Sequence, residues 1–411
     1  MKKAILAAGL ICSIFLSGSS AFATDFYWGG GAHPGTLVTK KLNVDAYLPW
    51  SSGGSAKAMG MGGAFTAVAN DLGGAVEYNP AGLTQLSHIT VSALAIARRN
   101  TEINATGKKT SKWDIVPTQA GAALRVGPLA VALSRKQPEG SAAYKKFSRV
   151  QSGSIRAPDG YPMSYDTYSD TLDTSKLDTI VLTGAIKLSR LSLGANYNRI
   201  KGDIIRKQRG RISTQEATWY TGSNNRFDTT EKVNFEGYTM DAGALMNMGP
   251  LRLGVAAKNF KGNVDLKRNI NWQDNFAMGN GNTWNWVSPT LKENITKFAP
   301  TYTAGAALVF GKILTLDADY ISIKLQDSKK TQARLGAELA VIPGFLFARG
   351  GVKADLKNKI EGLDNKTNEY FIGAGLKMLV LTVDASASLA QAKAGSAGDN
   401  MSGGISATLK F

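Results

Sequence analysis

Apolar and polar residues alternate with a period of two along most of the chain after residue 88. Residues 314–320, 405–411 and the stretch that starts at Leu379 show this pattern most cleanly. A period of two places successive side chains on opposite faces of an extended chain, so it predicts β-strands rather than helices. Each predicted strand has roughly the 9–11 residues that a tilted strand needs to cross a membrane.

The alternation predicts fourteen strands. They cover residues 89–98, 118–126, 129–136, 177–188, 191–201, 236–247, 251–260, 300–310, 313–324, 331–341, 344–356, 368–378, 379–390 and 402–411. Short turns connect them on one side, and long polar loops at residues 137–176, 201–235 and 261–298 connect them on the other. This asymmetry is typical of outer-membrane barrels, and closure leaves no unpaired edge in lipid. The predicted fold class is therefore all-β, a membrane-spanning antiparallel β-barrel.

The alternative is a soluble β-sandwich or a periplasmic solenoid, which alternation alone would also allow. The loop asymmetry, the export signal and the terminal aromatic Phe411 argue against it. A terminal aromatic that ends an alternating strand is a hallmark of chains handled by the outer-membrane assembly machinery. We therefore expect that machinery to be a partner through Phe411, and the cell outer membrane to be the location.

The N-terminus has the three parts of a secretory signal peptide. Lys2 and Lys3 precede an apolar run at residues 4–16, and Ala21-Phe22-Ala23 provides a cleavage pattern. The predicted signal peptide is residues 1–23. Cys12 lies inside the apolar run rather than at the cleavage point, which argues against a lipoprotein. The mature chain then has no thiol, no disulfide and no thiolate metal site.

Composition and charge exclude several classes of function. The formal net charge of +17 is typical of nucleic-acid binding, but an exported chain rarely meets nucleic acid. We expect the basic loops to bind lipopolysaccharide phosphates or to be solvated. His33 and His88 are the only histidines, and neither lies at an outer strand end. We therefore expect no enzymatic activity, no metal and no cofactor.

Residues 51–83 contain a glycine-rich motif, Gly-Gly-Ser-Ala-Lys-Ala-Met-Gly-Met-Gly-Gly-Ala-Phe-Thr-Ala-Val-Ala-Asn-Asp, followed by Asn-Pro-Ala-Gly-Leu. This motif resembles that of the FadL-type family of outer-membrane transporters for long-chain fatty acids and aromatic hydrocarbons. The resemblance implies an N-terminal hatch that plugs the lumen at residues 53–87 and a barrel at residues 88–411. Residues 24–52 would be an extension ahead of the motif. The candidate gating residues are Asp71, Asn79, Pro80, Ala81 and Gly82.

The inward positions assigned by alternation include several apolar residues. They are Leu94, Ile96, Leu245, Val309, Phe347 and Phe371. They could line a path for a hydrophobic small molecule, or they could simply pack against the hatch. A candidate ligand-capture loop carries Trp272, Phe276, Trp284 and Trp286. The third strand at residues 129–136 contains no glycine or proline, so we expect no kink there, although the family's transporters have one.

Two functions remain after these exclusions. The first is passive uptake of hydrophobic compounds such as long-chain fatty acids or hydrocarbons through a hatch-gated outer-membrane channel. The second is an accessory outer-membrane barrel that partners a secretion or export complex. A general porin is disfavoured by the hatch motif.

Overall fold

In a computed structural model the described residues are 45–46, 54–103, 109–137, 145–156, 162–211, 226–277, 283–287, 294–295, 297–325, 328–358, 368–390 and 400–411. The predicted signal peptide therefore lies outside the described residues, as does almost all of the extension at 24–52.

Fourteen antiparallel strands form a closed barrel. They are β1 (Ile89–Ile103), β2 (Lys109–Val126), β3 (Leu129–Lys136), β4 (Pro162–Leu188), β5 (Leu191–Arg211), β6 (Arg226–Met248), β7 (Leu251–Ala277), β8 (Thr301–Phe310), β9 (Leu314–Leu325), β10 (Ser328–Ile342), β11 (Leu346–Asn358), β12 (Asn368–Met378), β13 (Leu381–Ala390) and β14 (Asn400–Lys410).

The barrel closes where the last strand pairs with the first. Lys410 lies opposite Thr90, and the pairing continues to Ser402 opposite Arg98. Phe411 extends the ladder, because its N–H donates to the Ile89 carbonyl over 2.8 Å and its carbonyl accepts from the Ile89 N–H over 3.1 Å. The predicted fold and the number of strands are thus confirmed.

Several strands are much longer than predicted, because pairing continues into the regions expected to be polar loops. β4 and β7 each have 27 residues. The register is regular there, with Arg206 of β5 opposite Asp173 on one side and Glu231 on the other.

Leu379 was expected to continue an alternating strand, and this was wrong. The β12–β13 turn falls at Leu379 and Val380, and Leu379 has a φ of 48° and a side chain that is 97% exposed. The chain must reverse there because Met378 already pairs with Leu381.

The third strand ends at Lys136, as predicted. β3 pairs with residues 179–186 of β4, and a further strand, Lys145–Arg156, pairs with residues 162–173 of the same β4. β3 also pairs with β2, but only over residues 119–126. The regular pairing of residues 129–136 agrees with the absence of a kink within that range.

The residues before the barrel form three short helices inside it. They are α1 (Ala56–Gly60), α2 (Leu72–Glu77) and a 3₁₀ helix (Pro80–Gln85). We call residues 54–86 the hatch. Met61, Phe65, Val68, Leu72 and Leu83 of the hatch are fully buried in two clusters that also contain wall residues. None of the helices among the described residues is long and apolar enough to cross a membrane.

The outer surface of the barrel is apolar and has aromatic side chains near both ends. Tyr302, Tyr320 and Tyr370 are exposed near the end with the long strands, and Phe310 and Phe345 near the short-turn end. Between Tyr302 and Phe310 the strand rises about 27 Å, or about 20 Å along the barrel axis at a tilt of about 40°. This matches the apolar band and aromatic girdles of a barrel in a membrane.

Two residues ahead of the hatch pair with the chain at the long-strand end of the barrel. Asp45 and Ala46 form a parallel pair with Lys297 and Phe298, which lie just before β8 at the long-strand end.

Candidate functional site

Asn79 ties the hatch to itself and to the barrel wall. Its side chain is completely buried, and its Nδ2 donates to the Thr66 carbonyl over 2.9 Å and to the Ala244 carbonyl of β6 over 3.0 Å. Its Oδ1 accepts from the Ala81 N–H over 3.2 Å and so caps the 3₁₀ helix. All three polar positions of this amide are thereby used, which is typical of a structural anchor.

Asp71 fixes the start of α2. Its Oδ1 accepts from the Gly74 N–H over 2.6 Å, and its Oδ2 accepts from the Ser55 hydroxyl over 2.8 Å. Ser55 in turn caps α1 by accepting from the Ala58 N–H over 3.1 Å. A carboxylate at an N-cap satisfies a backbone donor that the helix cannot pair. Asp71 therefore links α1 to α2 through Ser55.

Pro80, Ala81 and Gly82 lie where the hatch is closest to neighbouring backbone. A Cβ at Gly194 of β5 would overlap the backbone of Pro80 and Ala81. A Cβ at Gly82 would overlap the Ala69 carbonyl. The Asn-Pro-Ala-Gly sequence thus meets both the wall and the rest of the hatch, while its gating role stays a prediction.

A second anchor joins the middle of the hatch to β9. The Oδ2 atom of Asp319 accepts from the Phe65 N–H over 3.0 Å, the Thr66 N–H over 3.1 Å and the Thr66 hydroxyl over 2.8 Å. Asp319 is buried. Three donors that converge on one buried oxygen restrain this loop firmly.

A third anchor is a buried ion-pair cluster at the end of α2. The Glu77 carboxylate lies 3.2 Å from Lys136 Nζ of β3 and 2.6 Å from Lys258 Nζ of β7. Burial raises the pKa of the Glu77 carboxyl, but the two lysine charges lower it more, to about 2. Glu77 is therefore ionised at neutral pH and bridges two widely separated strands through the hatch.

Polar side chains of the wall complete the support of α2. Asn196 of β5 donates to the Val76 carbonyl over 2.9 Å and to the Asp241 carboxylate of β6 over 3.0 Å. Asn198 donates to the same Asp241 oxygen over 2.9 Å. The C-terminal turn of α2, whose carbonyls lack helical partners, thus gains a donor from the wall.

Glycines of the wall let the hatch backbone approach closely. A Cβ at Gly243 would overlap Asn79, one at Gly254 would overlap the Thr66 carbonyl, and one at Gly351 would overlap Met61 and Gly62. Gly243 lies opposite Gly194 in the register, so two neighbouring strands together leave room for residues 79–81 of the hatch. The abundance of glycine in this barrel is thereby linked to the hatch, since glycine permits backbone-to-backbone approach.

A charged cluster and a cavity of about 150 Å³ lie beside α1. Glu338 of β10 pairs with Lys57 of α1 over 2.9 Å and with Arg349 of β11 over 2.6 Å. Arg349 also lies 2.8 Å from Asp384, and its guanidinium is 5.8 Å from the centre of the Phe347 ring. This network holds α1 against three strands.

The apolar lumen candidates do not form one pocket. Leu94 and Ile96 pack with Ala56 and Met59 of the hatch, which agrees with the alternative that these side chains pack against the hatch. Leu245 is also buried.

The other three candidates face inward but lie apart. Phe347 lines the cavity beside α1. Val309 and Phe371 are half-buried, near opposite ends of their strands. A ligand-binding role for the six stays a prediction.

The proposed capture residues lie on the extended strands. Trp272 and Phe276 belong to β7, and Trp284 and Trp286 to a short strand, Thr283–Val287, in which Trp284 pairs with Phe276. Their side chains lie outside the described residues, so their role stays a prediction. The register also places Lys201 opposite Asp178 and Glu236.

Sequence reasoning missed Glu77, Asp319 and the wall glycines as hatch contacts. Asp319 carried a signal, because a charged residue at an inward position of a strand needs a polar partner. The glycines carried a weaker one, since inward glycines recur on many strands. Neither signal tells which hatch residue is the partner.

No model of a known protein family matches the sequence, and no curated protein matches it. The fold is similar to the crystal structure of the toluene transporter TodX of Pseudomonas putida, with a TM-score of 0.59 and 14% sequence identity over 89% of this chain and 99% of that one. It is similarly close to a deltaS2 mutant of the TodX monoaromatic hydrocarbon channel, with a TM-score of 0.58 and 13% identity over 87% of this chain and 98% of the other. At these identities the likeness shows the fold, which is the one that the resemblance to the FadL-type family implied.

Proposed function

We propose that the protein is an outer-membrane channel for passive uptake of hydrophobic compounds such as long-chain fatty acids or hydrocarbons. The observation that carries the proposal is the hatch, which sits within a closed barrel and is fastened to the wall by directional polar contacts. A structure built to keep its lumen plugged suits selective passage of small amounts of solute rather than free diffusion. The similar fold of a toluene transporter supports the same conclusion.

The end of pairing between β2 and β3, among the described residues, supports a sideways exit as part of this function. Residues 109–117 of β2 pair with β1, whereas the described residues of β3 pair with β2 only at residues 119–126, and the Gln137 N–H then donates to the Thr118 carbonyl over 2.7 Å. On the other side, Lys145–Arg156 pairs with β4. A break in hydrogen bonding between two neighbouring strands is the place where an apolar solute could leave the lumen for the lipid.

The end of β3 lies next to the hatch, because its last residue, Lys136, forms an ion pair with Glu77 of α2. A movement of the C-terminal end of α2 would therefore change the support of the wall at the break. We propose that hatch and exit are coupled through this ion pair.

Uptake by cells tests the proposal. The chain is produced in a Gram-negative host that lacks its own hydrocarbon and fatty-acid channels, and entry of radiolabelled toluene and of oleate is measured separately. We expect faster entry of at least one of them than in cells with an empty vector. Equal entry of both at normal outer-membrane levels would contradict uptake, and a protein partner that co-purifies stably would then favour the accessory barrel.

A further inference from the structure

The cavity beside α1 is buried at one end and open at the other. Its lining includes Asp71, Arg349 and Asp384, which are buried, and Lys377, which is exposed beside the β12–β13 turn. A small solute can therefore reach the cavity from the short-turn end of the barrel. In barrels of this kind that end faces the periplasm.

Inward-facing side chains of three neighbouring strands lie side by side around this cavity. Lys377 of β12 lies opposite Thr382 of β13, and Thr382 lies opposite Thr408 of β14. Lys410 follows Thr408 by two positions, so it points to the same face of β14. All four side chains line the cavity. Two ammonium groups and two hydroxyl groups thus border one small volume.

The carboxylates of the lining are already engaged by other groups. Glu338 is paired with Lys57 and Arg349, and Asp384 lies 2.8 Å from the same guanidinium. The third carboxylate, Asp71, accepts hydrogen bonds on both of its oxygens, from the Gly74 N–H and the Ser55 hydroxyl. The salt bridges of the cavity therefore involve Lys57 and Arg349 and leave its other two cations aside.

Those two cations, Lys377 and Lys410, have no carboxylate within ion-pair distance in the part of the chain that the structure describes. An ammonium group that borders a partly enclosed cavity is stabilised by an anionic acceptor, because hydrogen bonds between two charged groups are stronger than those between neutral groups. The hydroxyls of Thr382 and Thr408 can donate to the same acceptor. This set of donors fits the oxygens of a carboxylate.

The volume of the cavity limits the organic part of such a ligand. A cavity of about 150 Å³ holds a molecule of about the size of benzene. A long alkyl chain does not fit, and an inorganic anion would leave much of the space unfilled. Phe347 contributes an aromatic ring to the lining, which an organic ligand can contact.

We propose that this cavity binds a small organic carboxylate that enters from the short-turn end. Lys377 and Lys410 hold the carboxylate, and Phe347 contacts the organic part. The ligand differs in charge and size from the hydrophobic compounds of the proposed uptake path. Because Lys57 and Asp71 of the hatch belong to the same lining, a bound carboxylate lies between the hatch and the wall.

Fluorine NMR of para-fluorobenzoate with the full chain, purified in an uncharged detergent, tests the proposal. We expect saturable binding that weakens as salt is raised, because charge interactions at an open cavity are screened. The uncharged para-fluorobenzyl alcohol has about the same size and should bind about tenfold more weakly or less, since a hydrogen bond to a charged group contributes about one factor of ten or more. Inorganic phosphate should not displace the probe at an equal concentration.

Two variants and a matched control locate the site. Lys377→Gln combined with Lys410→Gln should weaken binding of para-fluorobenzoate about tenfold or more. Thr382→Leu fills the cavity without a change in charge and should also weaken it. The control, Lys187→Gln with Lys312→Gln, removes two exposed lysines from the same end of the barrel that do not line the cavity, and it should bind like the wild type.

Heat-dependent gel mobility shows that each variant is folded. Absence of saturable binding, equal binding of the alcohol, displacement by phosphate, equal weakening in the control, or unchanged binding in either cavity variant would each overturn the proposal. The measurement does not involve transport, so a failure of the uptake proposal is seen separately.

Discussion

Replacement of Asn79 by Ala tests whether the hatch gates the channel. The change removes two hydrogen bonds donated by Nδ2, to Thr66 and Ala244, and one accepted by Oδ1, from Ala81. At about 0.5–1.5 kcal/mol each, the loss is about 3 kcal/mol, and more if the buried carbonyls stay unpaired. Since every 1.4 kcal/mol is about tenfold, the seated state of this segment should be disfavoured about a hundredfold.

The barrel itself should survive this change. Its closed ladder contains far more backbone hydrogen bonds than the three that are lost, and none of them involves the Asn79 side chain. We therefore expect normal outer-membrane levels and normal heat-dependent gel mobility, together with altered uptake of a hydrophobic probe or increased leak of a small polar antibiotic.

Asn198→Ala is the matched control for that experiment. Asn198 is buried like Asn79, but its side chain donates to Thr239 and Asp241 within the wall. It should reduce barrel stability without the leak. If Asn79→Ala leaves uptake and leak unchanged at normal protein levels, the gating role assigned to the Asn-Pro-Ala-Gly sequence is wrong.

Two further changes test the contacts that hold the hatch. Gly254→Ala should displace the hatch at Thr66 and raise leak, because overpacking costs about 1–3 kcal/mol. Gly184→Ala is the control and should not raise leak, since a Cβ there meets no atom within 4 Å. Equal conductance of the two variants in planar bilayers would contradict the close fit at Gly254. Glu77→Gln should raise conductance at pH 7. In the wild type the lowered pKa of Glu77, about 2, means that its stabilisation is complete above the usual value of 4.5 and is lost as the pH falls towards 2. Conductance should therefore rise over that window in the wild type, and the part due to Glu77 should be missing in the variant; identical pH profiles would refute this.

The barrel was predictable because its signal is local. Strand alternation and short turns are set by neighbouring residues, so Lys410 and Phe411 could be assigned to a closing strand from their own segment alone. Asp71 and Asn79 were also within reach, because N-caps act on residues two or three positions away. The extended pairing of β4 to β7 was missed, since it depends on which residues face each other across strands, such as Asp173 and Arg206, and not on neighbours in the sequence.

The seat of the hatch could not be predicted for a different reason. Gly243 and Asn79 are far apart in the chain, and their contact exists only because β6 and the 3₁₀ helix meet inside the closed barrel. A glycine in a strand can mark a bulge, a weak position in the strand or a close approach of another backbone, and the sequence alone does not tell which. The same holds for Asp319, whose partner Thr66 could equally have been any polar group of the lumen.

The way in which the hatch is held limits how it can open. Ejecting it whole would separate the ionised Glu77 from two lysines, and an unpaired buried charge is costly. It would also leave the buried Asp319 carboxyl without its three donors, which costs more than the loss of an exposed hydrogen bond. The wall glycines add a close steric fit but no directional attraction, so a short segment can slide along them at low cost. Met61 and Gly62 meet the wall in this way at Gly351, while Arg334 beside them donates to the Gly63 carbonyl over 3.1 Å. We therefore propose that an opening which leaves the ionic anchors in place is a local shift of hatch backbone along the glycine-lined wall.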